Sequence, residues 1–263
     1  MNEAGTTWEA LQAVRAASPL VHSITNYVSM DVTANALLAV GASPAMIHAE
    51  EEVEEFVAIA SALVVNIGTL SPAWVRAMEL AAARAGELGK PWVLDPVGAG
   101  ATSYRTKTAA SLSRLGPSVI RGNASEILAL AGTGAAARGV DSVHGSDSAA
   151  EVARSLASEL GCVVAVTGAT DYITDGERML RVENGHPLMT RVTALGCTAS
   201  ALVGAFLAVN QDAVGAAAQA LAILGLAGEI AATDSPGPGS LRWRLLDALH
   251  GLDEAALQRV RIV

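Results

Sequence analysis

Short runs of mainly apolar residues alternate along the chain with longer segments of mixed polarity, and this alternation predicts strands followed by helices. The runs that predict strands are 62–67, 91–95, 118–121 and 162–167. The segments that predict helices are 74–88, 124–131 and 149–160. Strands of this kind are typical of a mostly parallel sheet covered on both faces by crossover helices. The pattern therefore predicts an α/β fold, arranged as a three-layer α/β/α sandwich.

The two ends of the chain extend this pattern. Residues 19–30 pass from an apolar strand into polar residues, and a helix is predicted over 31–40. Residues 172–182 predict a hairpin that turns at Asp175 and Gly176, forming an antiparallel edge. From Ala199 onward the chain is nearly all helical, with a Pro-Gly break over 235–239 before a final helix. Without a low-complexity linker or an internal repeat, we expect residues 1–263 to form a single domain.

Composition and charge narrow the class of protein. Hydrophobic residues make up 51% of the 263 residues and aromatic residues only 3%, so Ala, Val, Leu and Ile must build the core. The net charge is −9 and no basic stripe occurs, which argues against a nucleic-acid partner. Two cysteines fit a reduced cytoplasm. No signal peptide is evident, and the apolar stretch 199–209 is too short to span a bilayer, so we expect no membrane partner.

The segment 193–200 is the most informative in the chain, because a turn of small residues leads directly into an apolar helix. The free N–H groups and the dipole of a helix N-terminus favour a bound anion. Cys197 lies in the first turn, where a lowered thiol pKa would let it act as a base at a reacting hydroxyl. The alternative is a small buried apolar side chain, which is the role we expect for Cys162.

Polar residues also follow the predicted strands, at the sheet edge where open parallel sheets bind ligands. Asn123 and Glu126 are three residues apart at a helix start and could hold Mg²⁺ through water, or they could form a capping box. Arg121 beside them favours a triphosphate ligand. Asp95 could be a second carboxylate near the metal, or a turn residue that accepts local N–H groups.

Three further positions could contact ligands. The Thr167 hydroxyl and the Gly168 backbone could bind phosphate, although a Thr-Gly pair also commonly ends a strand. Asn26 and Met46 lie in predicted loops and could line a small-molecule pocket, with core or turn roles as the alternative.

Seven segments follow one another in a characteristic order: HSITNYV from His22, ASPAM from Ala42, NIGTL from Asn66, LDPVGAG from Leu94, RGNASE from Arg121, VTG from Val166, and Gly196-Cys197. In this order they resemble the hydroxyethylthiazole kinase family of the ribokinase-like superfamily. The resemblance runs from about residue 20 to residue 209, and the C-terminal helices match more loosely. Their shared order, more than any single motif, carries the resemblance.

The resemblance implies a ribokinase-like sandwich without a separate lid domain, and a magnesium-dependent transfer of phosphate from ATP to the alcohol of 4-methyl-5-(2-hydroxyethyl)thiazole. It also implies a homotrimer with active sites between subunits. By similarity the residues at the site are Arg121, Thr167, Asn123 and Gly168 for ATP, Asp95 and Glu126 for the metal, Asn26, Val28, Met46, Ala194 and Gly196 for the thiazole, and Cys197 near the reacting hydroxyl.

The last motif departs from the family pattern. The family usually has Gly-Thr-Gly-Cys where this chain has Ala194, Leu195, Gly196 and Cys197. Ala194 keeps its N–H but adds a methyl group and requires an allowed φ, and Leu195 removes a hydroxyl. We expect the anion site to be retained.

Two alternative functions remain open from the sequence. One is a ribokinase-like kinase acting on a pyrimidine or pyridoxal alcohol, and the other is a non-catalytic nucleotide-binding protein. A P-loop kinase is excluded because the chain has no Gly-x-x-x-x-Gly-Lys-[Ser/Thr] motif.

Overall fold

The computed structural model describes residues 3–133 and 146–263, and eight strands occur within them. The strands are β1 Leu20–Ile24, β2 Ser43–Ala45, β3 Ala62–Asn66, β4 Trp92–Asp95, β5 Val119–Asn123, β6 Val163–Thr167, β7 Asp171–Thr174 and β8 Met179–Val182. All of them form one sheet in the order β2-β1-β3-β4-β5-β6-β7-β8. Neighbours from β2 to β6 are parallel, and the β7–β8 hairpin adds an antiparallel edge as predicted.

Helices connect the strands and continue to the C-terminal region. In the described residues they are α1 Glu3–Ala17, α2 Met30–Ala39, α3 Val53–Ile59, α4 Pro72–Glu87, α5 Ser103–Ser113, α6 Ala124–Ala131, α7 Ser146–Leu160, α8 Leu195–Leu207, α9 Ala213–Thr233, α10 Pro238–His250 and α11 Glu254–Leu257. A short 3₁₀ helix covers Pro187–Arg191.

The sheet separates two apolar cores, as a three-layer sandwich requires. Alternate residues of one strand face opposite layers: Val64 packs with α1, α2 and α8–α11, whereas Leu63 and Val65 pack with α3–α7. All five residues of β3 are buried, which explains why the central strands are apolar on both faces. The predicted three-layer fold with a mostly parallel sheet is confirmed.

The structure adds elements that the sequence pattern did not predict. The helices α3 and α5 and the short strand β2 were not expected. The chain also continues beyond α10, which the pattern took for the final helix. After α11, the backbone of Val263 pairs with Arg181 through hydrogen bonds of 2.7 and 2.9 Å, and Glu183 N–H donates to the Arg261 carbonyl at 3.0 Å.

The helix α9 corrects the interpretation of the apolar segments. It has 21 residues, and an 18-residue stretch within it has a mean hydropathy of 1.6, so by length and composition it could cross a membrane and exceeds the stretch 199–209. However, 78% of this 18-residue stretch is buried inside the protein. It packs against α8, α10 and the sheet, which is the environment of a core helix.

Candidate active site

The carboxyl ends of the central strands bring the predicted polar residues to one edge of the sheet. In the strand register, Asn66 lies beside Asp95, and Asn123 lies beside Thr167. The N-terminus of α8 lies at the same edge, since the guanidinium of Arg121 approaches Gly196. The sequence predicted this convergence from the rule for open parallel sheets.

A buried polar network connects Asp95 to Cys197. Asn66 Nδ2 donates to Asp95 Oδ2 at 2.7 Å, and Asn26 Nδ2 donates to Asn66 Oδ1 at 2.9 Å. The same Asn26 amide donates to Cys197 Sγ at 3.3 Å. Ser200 Oγ donates to Asp95 Oδ2 at 2.8 Å, one helical turn after Cys197. One amide and one hydroxyl thus hold the buried Asp95 carboxylate, and a second amide connects this network to the thiol.

The position of Cys197 in the first turn of α8 is confirmed, but the expected lowering of its pKa is wrong. Burial raises the pKa of the Cys197 thiol, and the negative charge of Asp95 raises it further. The Asn26 amide opposes this effect without overcoming it. Cys197 is therefore a neutral thiol near pH 7 in this structure, better suited to orienting a hydroxyl than to removing its proton.

Arg121 and the N-terminus of α8 form a positively charged corner. Arg121 Nη2 donates to the Thr167 hydroxyl. A Cβ atom on Gly196 would lie 2.7 Å from Arg121 Nη1, so the absence of a side chain at Gly196 lets the guanidinium approach the helix N-terminus in this position. The first-turn N–H groups of α8 and the guanidinium therefore lie next to each other, in an arrangement suited to an anion.

Two oppositely charged side chains at the site each keep one polar atom without a hydrogen-bond partner. Arg121 Nε and Asp95 Oδ1 are both buried and form no hydrogen bond within the described part of the chain. Burial raises the pKa of Asp95 to about 6, against the opposing charge of Arg121. Buried polar atoms are usually hydrogen-bonded, so this pair is available to a ligand with both anionic and cationic parts.

Asn123 and Glu126 form the capping box that was the structural alternative for these residues. Asn123 Oδ1 accepts from Glu126 N–H at 3.0 Å, and Glu126 Oε2 accepts from Asn123 N–H at 2.9 Å. The other oxygen, Oε1, accepts from Gly98 N–H at 2.9 Å. The carboxylate of Glu126 is thus fixed by two backbone groups, and its negative charge acts on Asp95. Its role at a metal remains a prediction.

The residues fit a magnesium ion bound mainly through water. Nowhere in residues 3–133 and 146–263 do three His, Cys, Asp or Glu side chains group as direct metal ligands. Asp95 nevertheless has a free buried oxygen, and Glu126 adds a second negative charge nearby. Mg²⁺ commonly keeps several waters and uses one or two carboxylates together with substrate phosphates.

Gly168 has a partner that the sequence interpretation missed. Its N–H donates to Asp171 Oδ1 at 2.9 Å. Burial raises the pKa of Asp171 to about 6, and both the Gly168 hydrogen bond and the charge of Arg121 oppose this rise. The Gly168 amide is therefore already occupied by a carboxylate in this structure.

The predicted substrate residues lie on two loops at the same edge. Asn26 is buried, and its Oδ1 accepts from the N–H groups of Val28 and Ser29 at 3.1 Å each. The Val28 side chain is 63% exposed in this loop, and the partly buried Met46 follows β2 directly. Only Asn26 among them contacts Cys197 through a hydrogen bond of the described residues.

Ala194 adopts the left-handed conformation that its position requires. It is the N-cap of α8 with φ 68° and ψ 3°, and its carbonyl accepts from Thr198 N–H at 2.9 Å. The following Leu195 is buried in the apolar core. The chain thus keeps the turn geometry without the glycine that would allow it freely.

Asn66 and Ser200 were not assigned to the site from the sequence, although both complete it. The signal for Asn66 was available, because it is a polar residue at the end of an otherwise apolar strand, in register with Asp95. Ser200 gave no comparable signal, because it lies inside an apolar helix. Its contact with Asp95 is evident only from the three-dimensional structure.

Comparisons with known proteins agree on one family. Residues 11–255 match the sequence profile of the hydroxyethylthiazole kinase family. A hydroxyethylthiazole kinase of Syntrophus aciditrophicus (strain SB) is 58% identical over 260 residues, covering 98% of this chain and 96% of the relative. One from Granulibacter bethesdensis is 56% identical over 248 residues, covering 94% and 90%.

Solved structures give the same picture at the level of the fold. A hydroxyethylthiazole kinase protein from Pyrococcus horikoshii OT3 superposes with a TM-score of 0.93 at 45% identity, covering 98% of both chains. A Bacillus subtilis pyridoxal kinase, solved as an ADP complex, has a TM-score of 0.62 at 19% identity, covering 79% of this chain and 90% of the other. The second likeness extends to the ribokinase-like fold alone.

Proposed function

Because the chain belongs to the hydroxyethylthiazole kinase family, we propose that it transfers the γ-phosphoryl group of ATP to the hydroxyl of 4-methyl-5-(2-hydroxyethyl)thiazole. The observation that carries this proposal is the pair of buried unpartnered groups, Arg121 Nε and Asp95 Oδ1, beside the N-terminus of α8. A metal-bound phosphate would supply a partner for each.

On this proposal, the anionic part of the site binds and orients the nucleotide. Arg121 and Thr167 hold ATP oxygens, and Asn123 and Gly168 contact the nucleotide through polar groups at the ends of β5 and β6. The Gly168 N–H donates to Asp171 in this structure, so binding ATP through that amide would require the carboxylate to release it. The N–H groups of the first turn of α8 neutralise charge on the transferring group, because helix N-termini bind anions.

Asp95 and Glu126 are the residues that would hold magnesium, chiefly through its waters. A bound Mg²⁺ supplies positive charge that offsets the charge of the triphosphate. Asn66 and Ser200 keep the Asp95 carboxylate in place at one oxygen and leave the other free.

The acceptor, the thiazole alcohol, would lie on the side of Cys197 that faces away from the nucleotide. Asn26, Val28 and Met46 would line the thiazole pocket, and Ala194 and Gly196 would contact the substrate through the backbone. The transfer is an in-line attack in which positioning and charge neutralisation contribute most. Cys197 orients the alcohol, which suits its raised pKa.

A coupled assay of ATP consumption tests this function directly. We expect magnesium-dependent turnover with the thiazole alcohol, and much less with hydroxymethylpyrimidine or pyridoxal alcohols. A preference for one of the other alcohols would assign the chain a different acceptor, and no ATP consumption with any of them would leave nucleotide binding as the function.

We infer further that the 263 residues act as a single domain, that the protein is a homotrimer with active sites between subunits, and that it functions in the cytoplasm without nucleic-acid or membrane partners. The family resemblance supports the trimer, and the acidic net charge of −9 supports the absence of nucleic acid. Light scattering coupled to gel filtration should give three times the mass of the chain.

A further inference from the structure

Arg105, on α5, connects two loops of the candidate site. Its Nη1 donates to the carbonyl oxygens of Ile67 at 2.7 Å and Val97 at 2.9 Å, and its Nη2 donates to the carbonyl oxygen of Gly68 at 2.8 Å. The first loop follows β3 and the second follows β4. One guanidinium therefore joins the connections that leave two neighbouring strands.

The first of these loops supports the acceptor side of the site. Gly68 N–H donates to Asn66 Oδ1 at 2.9 Å, and a Cβ on Gly68 would lie 2.6 Å from Asn26 Nδ2. The Gly68 backbone is therefore packed against the amide that contacts Cys197. A shift of this loop would move Asn26.

The second loop supports the metal side. Gly98, directly after Val97, has a φ of 73° and donates its N–H to Glu126 Oε1 at 2.9 Å. A Cβ at Gly98 would lie 3.2 Å from Arg105 Cδ, so the Arg105 stem also packs against this turn. A shift here would move the Glu126 carboxylate.

The geometry of the three hydrogen bonds is specific to arginine. Within residues 3–133 and 146–263, Arg105 forms no salt bridge, and its guanidinium donates to backbone carbonyls. A planar guanidinium presents several donors in a fixed fork, whereas a lysine ammonium is a single point at the end of a flexible stem. Lysine would not hold both loops at once.

We propose that Arg105 is a positioning residue that fixes the acceptor side and the metal side of this site relative to each other. The expected effect on catalysis rests on the proposed function. The structural role of Arg105 depends only on its hydrogen bonds to the two loops. Arg105 acts through Gly68 on Asn26 and through Gly98 on Glu126.

Kinetics test the catalytic consequence. In Arg105→Ala we expect kcat to fall about 10- to 100-fold and the half-saturating Mg²⁺ concentration to rise about tenfold, as is usual when support for a metal site is lost. Arg105→Lys should lie nearer to Ala than to the wild type, and millimolar guanidinium should restore part of the Ala variant's kcat. Lys107→Ala, an exposed residue on the same helix, should stay within about twofold of the wild type.

Hydrogen–deuterium exchange on the ligand-free protein provides a readout that does not require activity. Arg105→Ala and Arg105→Lys should exchange faster than the wild type in segments 66–70 and 96–101, and Lys107→Ala should not. Unchanged exchange in both loops, or an unchanged Mg²⁺ dependence in an active enzyme, overturns the proposal. If Arg105→Ala fails to fold, the exchange rates of the same two segments in Arg105→Lys test the proposal.

The two proposals can fail separately. A wild-type protein without kinase activity contradicts the proposed function, while the exchange experiment still tests the role of Arg105.

Discussion

The backbone of Ala194 is left-handed at the start of α8, with φ 68°. For a residue with a Cβ this conformation costs about 1–2 kcal/mol. Glycine removes that strain, but it also makes the unfolded chain more flexible, which offsets part of the gain in stability. We expect Ala194→Gly to raise the free energy of unfolding by about 1 kcal/mol, measured by urea denaturation.

Ala83→Gly is the matched control, because Ala83 is exposed in the regular helix α4. There the same substitution should lower the free energy of unfolding by about 1 kcal/mol. Effects of the same sign at both positions would contradict the strain at Ala194.

Cys197 is expected to assist the reaction without being essential to it. A neutral thiol that orients the alcohol contributes less than a strong base, and a dissociative transition state needs little deprotonation. We therefore expect Cys197→Ala to lower kcat by about 10- to 100-fold with ATP affinity unchanged, in a steady-state assay with an ATP-binding measurement.

Cys162→Ala provides the control, since Cys162 is the other free cysteine and is buried away from the site. It should leave kcat unchanged. Complete loss of turnover in Cys197→Ala with intact ATP binding would show that the thiol is indispensable, and an unchanged rate would show that it has no role.

Individual residues show where sequence reasoning succeeds and where it stops. The positions of Asp95, Arg121 and Cys197 at one sheet edge followed from strand ends and a helix start. The pKa of Cys197 did not, because it depends on burial and on a carboxylate about a hundred positions away in the chain. Ser200 was missed for the same reason, and so was the contact of Arg105 with the loop after β3, since these partners are distant in sequence.

At the scale of elements, Glu229 on α9 fastens the C-terminal segment to the edge of the sheet. It accepts hydrogen bonds from Gly185 N–H at 2.9 Å and from Arg261 Nη2 at 2.6 Å. Burial raises the pKa of Glu229, but these hydrogen bonds, the one from Arg261 most of all, hold it below its ordinary value. Hydrogen bonds to charged groups contribute more than neutral ones. Glu229→Gln should lower the free energy of unfolding by about 1–3 kcal/mol in urea denaturation.

Glu87→Gln is the comparison for this prediction, because Glu87 pairs with Arg84 on the exposed surface of α4. Loss of this ion pair in Glu87→Gln should lower the free energy of unfolding by less than about 0.5 kcal/mol. Equal effects of the two substitutions would mean that Glu229 contributes no more than an ordinary surface ion pair.

The elements themselves were predictable where the pattern was local. Strands β3 to β6 and the β7–β8 hairpin showed as apolar runs and a turn. The helix α5 was missed because few of its residues are buried, namely Thr108, Ala109, Leu112 and Ser113. The pairing of Arg261–Val263 with β8 could not be predicted, since it joins segments that are far apart in the chain.

At the scale of the whole molecule, His22 should make stability depend on pH. It is fully buried in β1, and burial lowers its pKa from 6.5 to about 4, although a hydrogen bond to the Ile47 carbonyl opposes this. The unfolded chain then binds the proton more tightly than the folded protein, so stability is lost as pH falls from 6.5 towards 4.

From pH 7 to pH 5, this residue should lower the free energy of unfolding by about 2 kcal/mol, at about 1.4 kcal/mol per pKa unit. His22→Gln keeps a donor near the Ile47 carbonyl but does not titrate. Between pH 7 and pH 5, the free energy of unfolding of His22→Gln should therefore fall by about 2 kcal/mol less than that of the wild type. Identical pH profiles for the two proteins would exclude His22 as the source.

The buried network from Cys197 through Asn26 and Asn66 to Asp95 limits how this protein can acquire a new acceptor. A substitution at Asn26 alters the pocket and also removes a donor from Asn66, so its effect extends to the carboxylate on the nucleotide side. The apolar side chains of Met46 and Val28 take no part in these hydrogen bonds. Changes in acceptor preference that preserve phosphate transfer should therefore accumulate at those two positions, during natural divergence and in laboratory selection alike.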